Sequence, residues 1–241
     1  MEKEQLFKQQ AAAEVLTYIE SGMILGLGHG STAIWAVRGL ARKLSRGELT
    51  EVQGVPCSRM IEAEARRLGI PLTTLEDHPP GPSGLVIDLT FDGADEVDPD
   101  LNVIKGGGGA LLREKIVAQA SRREIIIVDE SKLSPVLGTH WAVPVEVIAF
   151  GWRTQAAYLE SLGAQVRLRL GDAPEHGAQP FKTDQGNFIL DCDFGPIRDP
   201  ASLGARLDAR TGIVAHGLFL GLVTEVIVAG TGGIRHLLRE T

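Results

Sequence analysis

Short apolar runs alternate along this chain with longer stretches in which apolar residues recur every three or four positions, and that alternation predicts an α/β fold. Met23 to Leu27, Glu51 to Pro56, Leu85 to Thr90, the fully apolar Glu124 to Val128, and Thr224 to Gly230 read as strands of one sheet. Between them, residues 4 to 20 carry a helical stripe at Leu6, Ala13, Leu16 and Ile19, and a helix opening at Ser31 carries Ile34, Val37, Leu40, Ala41 and Leu44. Ser58 to Leu68 is a third helix, with Ile61, Ala65 and Leu68 inward and Gly69 as its stop. A fourth follows Gly109 with the pattern Leu112, Ile116, Ala120, which turns Glu114 by about 200° from Leu112 toward a cleft or solvent. Ile70 to Leu75 reads as a short strand near an edge because of Pro71, and Pro79 to Gly84 as a loop.

From about residue 138 the order changes to strand 141–148, helix 151–162, strand 164–170, a turn-rich loop, strand 188–193, helix 201–209 and strand 213–219. This βαββαβ order is the ferredoxin-like arrangement. The expected architecture is a Rossmann-like, doubly wound, mostly parallel sheet with an inserted ferredoxin-like α+β domain. The first domain takes residues 1–137 and 220–241, the second 138–219. Gly230-Thr-Gly-Gly233 is expected to open a short final helix.

With 241 residues at 44% hydrophobic, the chain has ample core for two domains. A net charge of -7 argues against nonspecific binding to nucleic acid or to an acidic membrane, so an anionic ligand needs a local positive pocket. Met1 to Lys8 lacks the apolar core of a signal peptide, and no run is long enough to span a bilayer. Cys57 and Cys192 are too few for a disulfide framework, and no Cys/His group has zinc spacing. A soluble protein of the reducing cytosol, without a metal, is expected.

Charge concentrates in residues 90–116. Asp92, Asp95, Glu96, Asp98 and Asp100 follow an apolar strand, at the sheet end where open α/β folds bind ligands; Lys105, the glycines Gly106 to Gly109, and Glu114 come next. An acidic run alone reads as a solvated turn, and its spacing is not that of an EF-hand. Lys105 and Glu114 around a bare backbone floor instead suit proton transfer beside a carbonyl. A second candidate is Gly28-His-Gly-Ser-Thr32, a glycine turn opening a helix, whose N–H groups suit a phosphate. The looser dinucleotide fingerprint also fits Gly28 to Ala33, but the acid expected about 20 residues on is missing. No lysine precedes Ser31 or Thr32 as in a Walker loop. Cys57 and Ser58 lie at a sheet end without a basic partner, and Cys57 reads as a buried thiol.

Asp92-Gly-Ala-Asp-Glu96 followed by Lys105-Gly-Gly-Gly-Gly-Ala-Leu-Leu-Arg-Glu-Lys115 resembles the signature of the type A ribose-5-phosphate isomerases. The likeness extends through Gly28 to Thr32, Val128-Asp-Glu-Ser-Lys132, Pro144 to Ile148 and Gly217-Leu-Phe219. It implies interconversion of ribose 5-phosphate and ribulose 5-phosphate through an enediolate. It gives Glu114 the part of the base serving C1 and C2 and Lys8 a contact with the substrate phosphate, and it implies a homodimer or homotetramer. Asp92 is the candidate for ring opening, and Asp95 for orienting hydroxyls or the base. Lys105 and N–H groups of Gly106, Gly107 and Gly108 are candidates for the oxyanion. Gly28, Gly30, Ser31, Thr32 and Lys132 complete the phosphate site. No cofactor is called for. His29 departs from the family, where a hydroxyl residue is usual; His140, His176, His216 and His236 read as structural or exposed. Rival readings are a sugar-phosphate deaminase or lactonase on a similar sheet, and a sugar-phosphate sensor, though a sensor's helix-turn-helix or basic arm is missing.

Overall fold

The computed structural model describes residues 2–79, 83–171 and 179–239; positions 80–82 of the expected loop, and 172–178 of the turn-rich one with His176, lie outside the described residues. In chain order the elements are α1 (Glu2–Val15), β1 (Ile24–Leu27), α2 (Ala33–Ser45), β2 (Gln53–Pro56), α3 (Arg59–Arg67), β3 (Leu89–Asp92), β4 (Glu96–Val97), β5 (Val103–Ile104) and α4 (Leu111–Gln119). They continue with β6 (Glu124–Asp129), a 3-10 turn (Glu130–Lys132), β7 (Val143–Val147), α5 (Trp152–Ser161), β8 (Gln165–Leu168), β9 (Phe188–Asp193), α6 (Pro200–Asp208), β10 (Ile213–His216), β11 (Leu218–Phe219), β12 (Glu225–Gly230) and β13 (Gly233–Leu238). Two compact units result: residues 1–94, 113–132 and 221–241, and residues 95–112 with 133–220.

The first unit is built on a six-stranded sheet of order β13-β12-β6-β3-β1-β2, parallel except for the edge strand β13. Leu25, Leu27, Phe91, Ile125, Ile127 and Ile227 face one core with residues of α1, α2 and α3; Val55 and Cys57 pack with Val117 of α4 in another. Helices therefore cover both faces, as a doubly wound sheet requires. From β1 the chain winds out to β2 and then returns to β3 on the other side of β1, so the topological switch point lies between the ends of β1 and β3. The expected edge strand at 70–75 is reduced to a single bridge, Gly54 to Leu72, beside β2. Glu225, 3% exposed, accepts from Tyr18 (2.7 Å) and Arg123 (3.1 Å) and bonds His236 (2.9 Å), which ties the segment after α1 to the starts of β6 and β12 and to β13. Burial against that carboxylate pushes the Tyr18 phenol up to about 12.

The second unit holds a four-stranded antiparallel sheet of order β10-β7-β9-β8, with α5 and α6 packed on Val143, Val145, Val147, Leu190 and Cys192. This is the ferredoxin-like order. Asp199 caps α6 by accepting from Ser202 N, and Pro200 opens its first turn. A three-stranded sheet, β11-β5-β4, lies in the same unit. Residues 95–112 and 133–137, expected with the first sheet, belong here, because β4 and β5 are two residues each, too short to show as apolar runs.

Four local expectations are corrected. In α1 the buried positions are Ala11, Ala12 and Val15, continuing to Leu16 and Ile19, whereas Leu6 is 51% exposed and Ala13 is exposed. In α4 the buried face is Leu111, Glu114, Val117 and Ala118, and Ile116 is 44% exposed. The strand expected over 213–219 divides at Gly217 into β10 and β11, which join different sheets. The expected final helix is the strand β13, hairpinned onto β12 through Thr231 and Gly232.

Candidate active site

Within the first unit, β1 ends at Leu27 and its next residue, Gly28, donates to Phe91 O of β3 at 3.0 Å. A side chain there is impossible without movement, since a Cβ would lie 2.3 Å from Phe91 O and 2.5 Å from Asp92 Cγ. The close approach lets Asp92, 1% exposed, accept from His29 N (2.9 Å) and Gly93 N (2.7 Å) through Oδ1. Asp92 and the glycine turn thus meet at the switch point. Gly30, at φ +115, sends its carbonyl to Ile34 N (3.1 Å) and starts α2. Thr32 takes the N-cap place without a side-chain cap, and among the described residues the N–H groups of Ser31, Thr32 and Ala33 have no partner. That is an anion-ready helix start. The His29 ring turns aside and shares a hydrogen bond through Nδ1 with Ser58 Oγ (2.9 Å), the N-cap of α3.

Lys8 pairs with Glu4 at 2.6 Å and is 16% exposed. That hydrogen bond and the Lys8 charge hold the Glu4 carboxyl below its usual range, with a smaller contribution from the Lys132 charge. Glu114, 4% exposed, sits one turn into α4 on the buried side.

Within the second unit, Lys105 follows β5 and is 2% exposed; its N donates to Gly217 O (2.9 Å), and its Nζ lies 5.6 Å from the Phe219 ring centroid. Asp95 N donates to Ile104 O (2.8 Å), and its carboxylate accepts from Gly107 N (2.7 Å). A Cβ on Gly107 would lie 2.7 Å from Asp95 Oδ1, so any other residue there would push the Asp95 carboxylate aside. Gly106 and Gly109 turn at φ +107 and +81. Gly108 N–H has no partner among the described residues, and Gly107 and Gly108 are exposed.

Apart from the exposed Asp100, the acidic run is not a solvated turn. Glu96, fully buried, accepts from the N–H groups of Gly138 (2.9 Å), Thr139 (3.0 Å), His140 and Trp141 (both 3.2 Å), and so fixes the chain before β7. Asp98 holds the β4–β5 turn by accepting from Asn102 N (2.8 Å), and burial pushes its carboxyl up. Sequence reasoning missed both roles, and it missed Arg169 and Asp191 beside the glycines. Arg169 donates to Gly106 O and Gly107 O from more than 60 residues away, a pairing that alternation in a strand does not signal. His216, 3% exposed, bonds Asp208 Oδ1 (3.1 Å), in keeping with a structural histidine.

Asp92 and Glu114 belong to the first unit, and Asp95, Lys105 and the glycine run to the second. The sequence profile of Ribose 5-phosphate isomerase A (phosphoriboisomerase A) matches residues 53–233. The Ribose-5-phosphate isomerase A of Chloroflexus aurantiacus is 56% identical over 230 residues, 95% of this chain and 92% of its own length. That of Desulfatibacillum aliphaticivorans is 53% identical over 98% of this chain and 99% of its own. A solved D-ribose-5-phosphate isomerase in complex with phospho-erythronic acid superposes with a TM-score of 0.91 at 38% identity, covering 97% of this chain and 98% of that one. On these matches, and on a fold and signature that agree with them, the chain belongs to the ribose 5-phosphate isomerase A family.

Proposed function

We propose that this protein interconverts D-ribose 5-phosphate and D-ribulose 5-phosphate by proton transfer between C1 and C2 through an enediolate. The observation that carries the reading is Glu114, a carboxylate on the buried side of α4 directly after the glycine run, where apolar periodicity alone would put a hydrophobic residue. A carboxylate is retained in such a place for chemistry or for a buried network. Glu114 takes the proton from one carbon and returns it to the other. Asp92, anchored by His29 N–H, moves the proton of ring opening, and Asp95 orients the sugar hydroxyls. Lys105 stabilises the enediolate oxygens together with the glycine floor. Of the two exposed glycines, Gly107 has its N–H committed to Asp95, so the floor's donor is Gly108 N–H.

The phosphate is held by Ser31, Thr32 and the N–H groups that open α2 after Gly28 and Gly30, with Lys8 and Lys132 supplying charge. It takes no part in the bond changes; binding it positions the reacting carbons. A related isomerase was solved with phospho-erythronic acid, an anionic phosphosugar acid of the kind such a site accepts. A homodimer or homotetramer in the cytosol is the proposed working form. Cys57 and Cys192, both buried and not joined in a disulfide, fit that compartment. Among the described residues no helix is long and apolar enough to cross a membrane.

The test is turnover of ribose 5-phosphate by wild type and Glu114→Gln. The variant is expected to lose at least about a hundredfold in kcat, as removal of a general base does. Equal turnover by both proteins would remove Glu114 from the chemistry.

A further inference from the structure

Four consecutive glycines carry no side chains to keep a floor in one shape, and the turn bond from Gly109 N to Gly106 O (3.0 Å) closes the run on itself without tying it to its surroundings, so a group outside the run must anchor it. Arg169, one residue beyond β8 and with its side chain 15% exposed, does so within the second unit. Its Nε donates to Asp191 Oδ2 at 3.0 Å and its Nη2 to Oδ1, a bidentate pair that fixes the guanidinium plane. The remaining nitrogen, Nη1, carries two hydrogens and donates to Gly106 O (2.7 Å) and Gly107 O (3.0 Å). Backbone bonds fix the strand end itself, Arg169 N donating to Ile189 O (2.8 Å) and Phe181 N to Arg169 O (2.9 Å). Phe181 in turn fills the space beside Gly109, where a Cβ would lie 2.5 Å from its ring.

In a trans peptide the C=O and the next N–H point in opposite directions. Holding Gly106 O therefore directs Gly107 N–H away from Arg169, and that N–H is indeed the donor to Asp95 Oδ2 at 2.7 Å. Holding Gly107 O directs Gly108 N–H in the same manner. We infer that Arg169, locked by Asp191, is a positioning residue for the isomerisation, setting the direction in which the glycine floor presents Gly108 N–H to the enediolate oxygen. The inference rests on the isomerase reading above. Arginine is needed because a lysine ammonium has no rigid fork to grip a carboxylate on one side and two carbonyls on the other.

The experiment compares kcat and KM for ribose 5-phosphate in wild type, Arg169→Lys, Arg169→Ala and Asp191→Asn, with guanidinium chloride added back to Arg169→Ala at non-denaturing concentration. The expected result is a fall in kcat of about 10- to 100-fold in Arg169→Lys with KM changed by less than about threefold, because the donor is misdirected while the phosphate grip is intact. Asp191→Asn falls less, and guanidinium restores part of the kcat of Arg169→Ala. Unchanged kcat in Arg169→Lys, or a rise in KM with kcat retained, overturns the inference. If Arg169→Lys does not fold, the same split in Asp191→Asn decides. A wild type that leaves ribose 5-phosphate unconverted removes the functional reading itself, whereas an active wild type with an equally active Arg169→Lys removes only the role of Arg169.

Discussion

Gly28→Ala tests the switch point directly, because the glycine is there for space. Its Cβ would lie 2.3 Å from Phe91 O and 2.5 Å from Asp92 Cα, both backbone atoms of β3 that cannot swing away. The strand ends must part, which costs about 1–3 kcal/mol as overpacking does. Parting them also weakens the His29 N–H bond to the buried Asp92, of a charged class worth about 1.5–3 kcal/mol. With partial relaxation the total is about 2–4 kcal/mol, or a Tm lower by roughly 4–16 °C at this chain length. Scanning calorimetry of wild type, Gly28→Ala and Gly22→Ala is the assay. Gly22 has φ +86 and nothing within 4 Å of a Cβ, so its substitution costs conformation alone, about 1–2 kcal/mol. If Gly28→Ala melts with wild type, or no lower than Gly22→Ala, the close approach of β1 and β3 is not what the glycine serves. Turnover should fall with Tm in Gly28→Ala, since Asp92 shifts, and not in Gly22→Ala.

Two carboxylates make pH predictions of opposite sign. Hydrogen bonds from Arg67 and Arg38 hold Glu64 at about 2 against an ordinary 4.5, so its stabilisation is present above pH 4.5 and lost as pH falls toward 2. Both arginines are well exposed, at 63% and 41%, so screening limits the effect to at most about 1 kcal/mol, and Glu64→Gln should flatten that part of the acid unfolding curve. Glu146 is fully buried; burial pushes its carboxyl up against the hydrogen bonds from Asn187 and Thr183, and its Oε2 has no partner among the described residues. A raised carboxyl stabilises fully below pH 4.5 and loses that contribution as pH rises through its folded value. Glu146→Gln should therefore gain stability on wild type between pH 4 and pH 8 in urea titrations, and a constant difference would refute the sign.

How much was legible in the sequence differs from element to element, for physical reasons. Apolar runs such as Ile125 to Val128 announce buried strands because every side chain in them must leave water, and the βαββαβ order of the second half follows from the same rule. Glycine turns and the charged run from Asp92 to Glu114 are legible because few other residues permit that backbone and that charge. The phase of α4 was not, since its core-facing side carries a glutamate and its exposed side carries Ile116; a helix that buries a reactive group breaks the hydrophobic period that a reader follows. β13 was misread as a helix for the complementary reason. It lies at a sheet edge with nearly every residue exposed, so it has no burial pattern, and only the ladder to β12 makes it a strand. The glycine floor shows the division most plainly. Its sequence alone determined that the backbone is bare and adaptable, whereas the direction of its N–H groups was decided by Asp95 and by Arg169, because a hydrogen bond depends on distance and angle in space and leaves no mark on residue spacing.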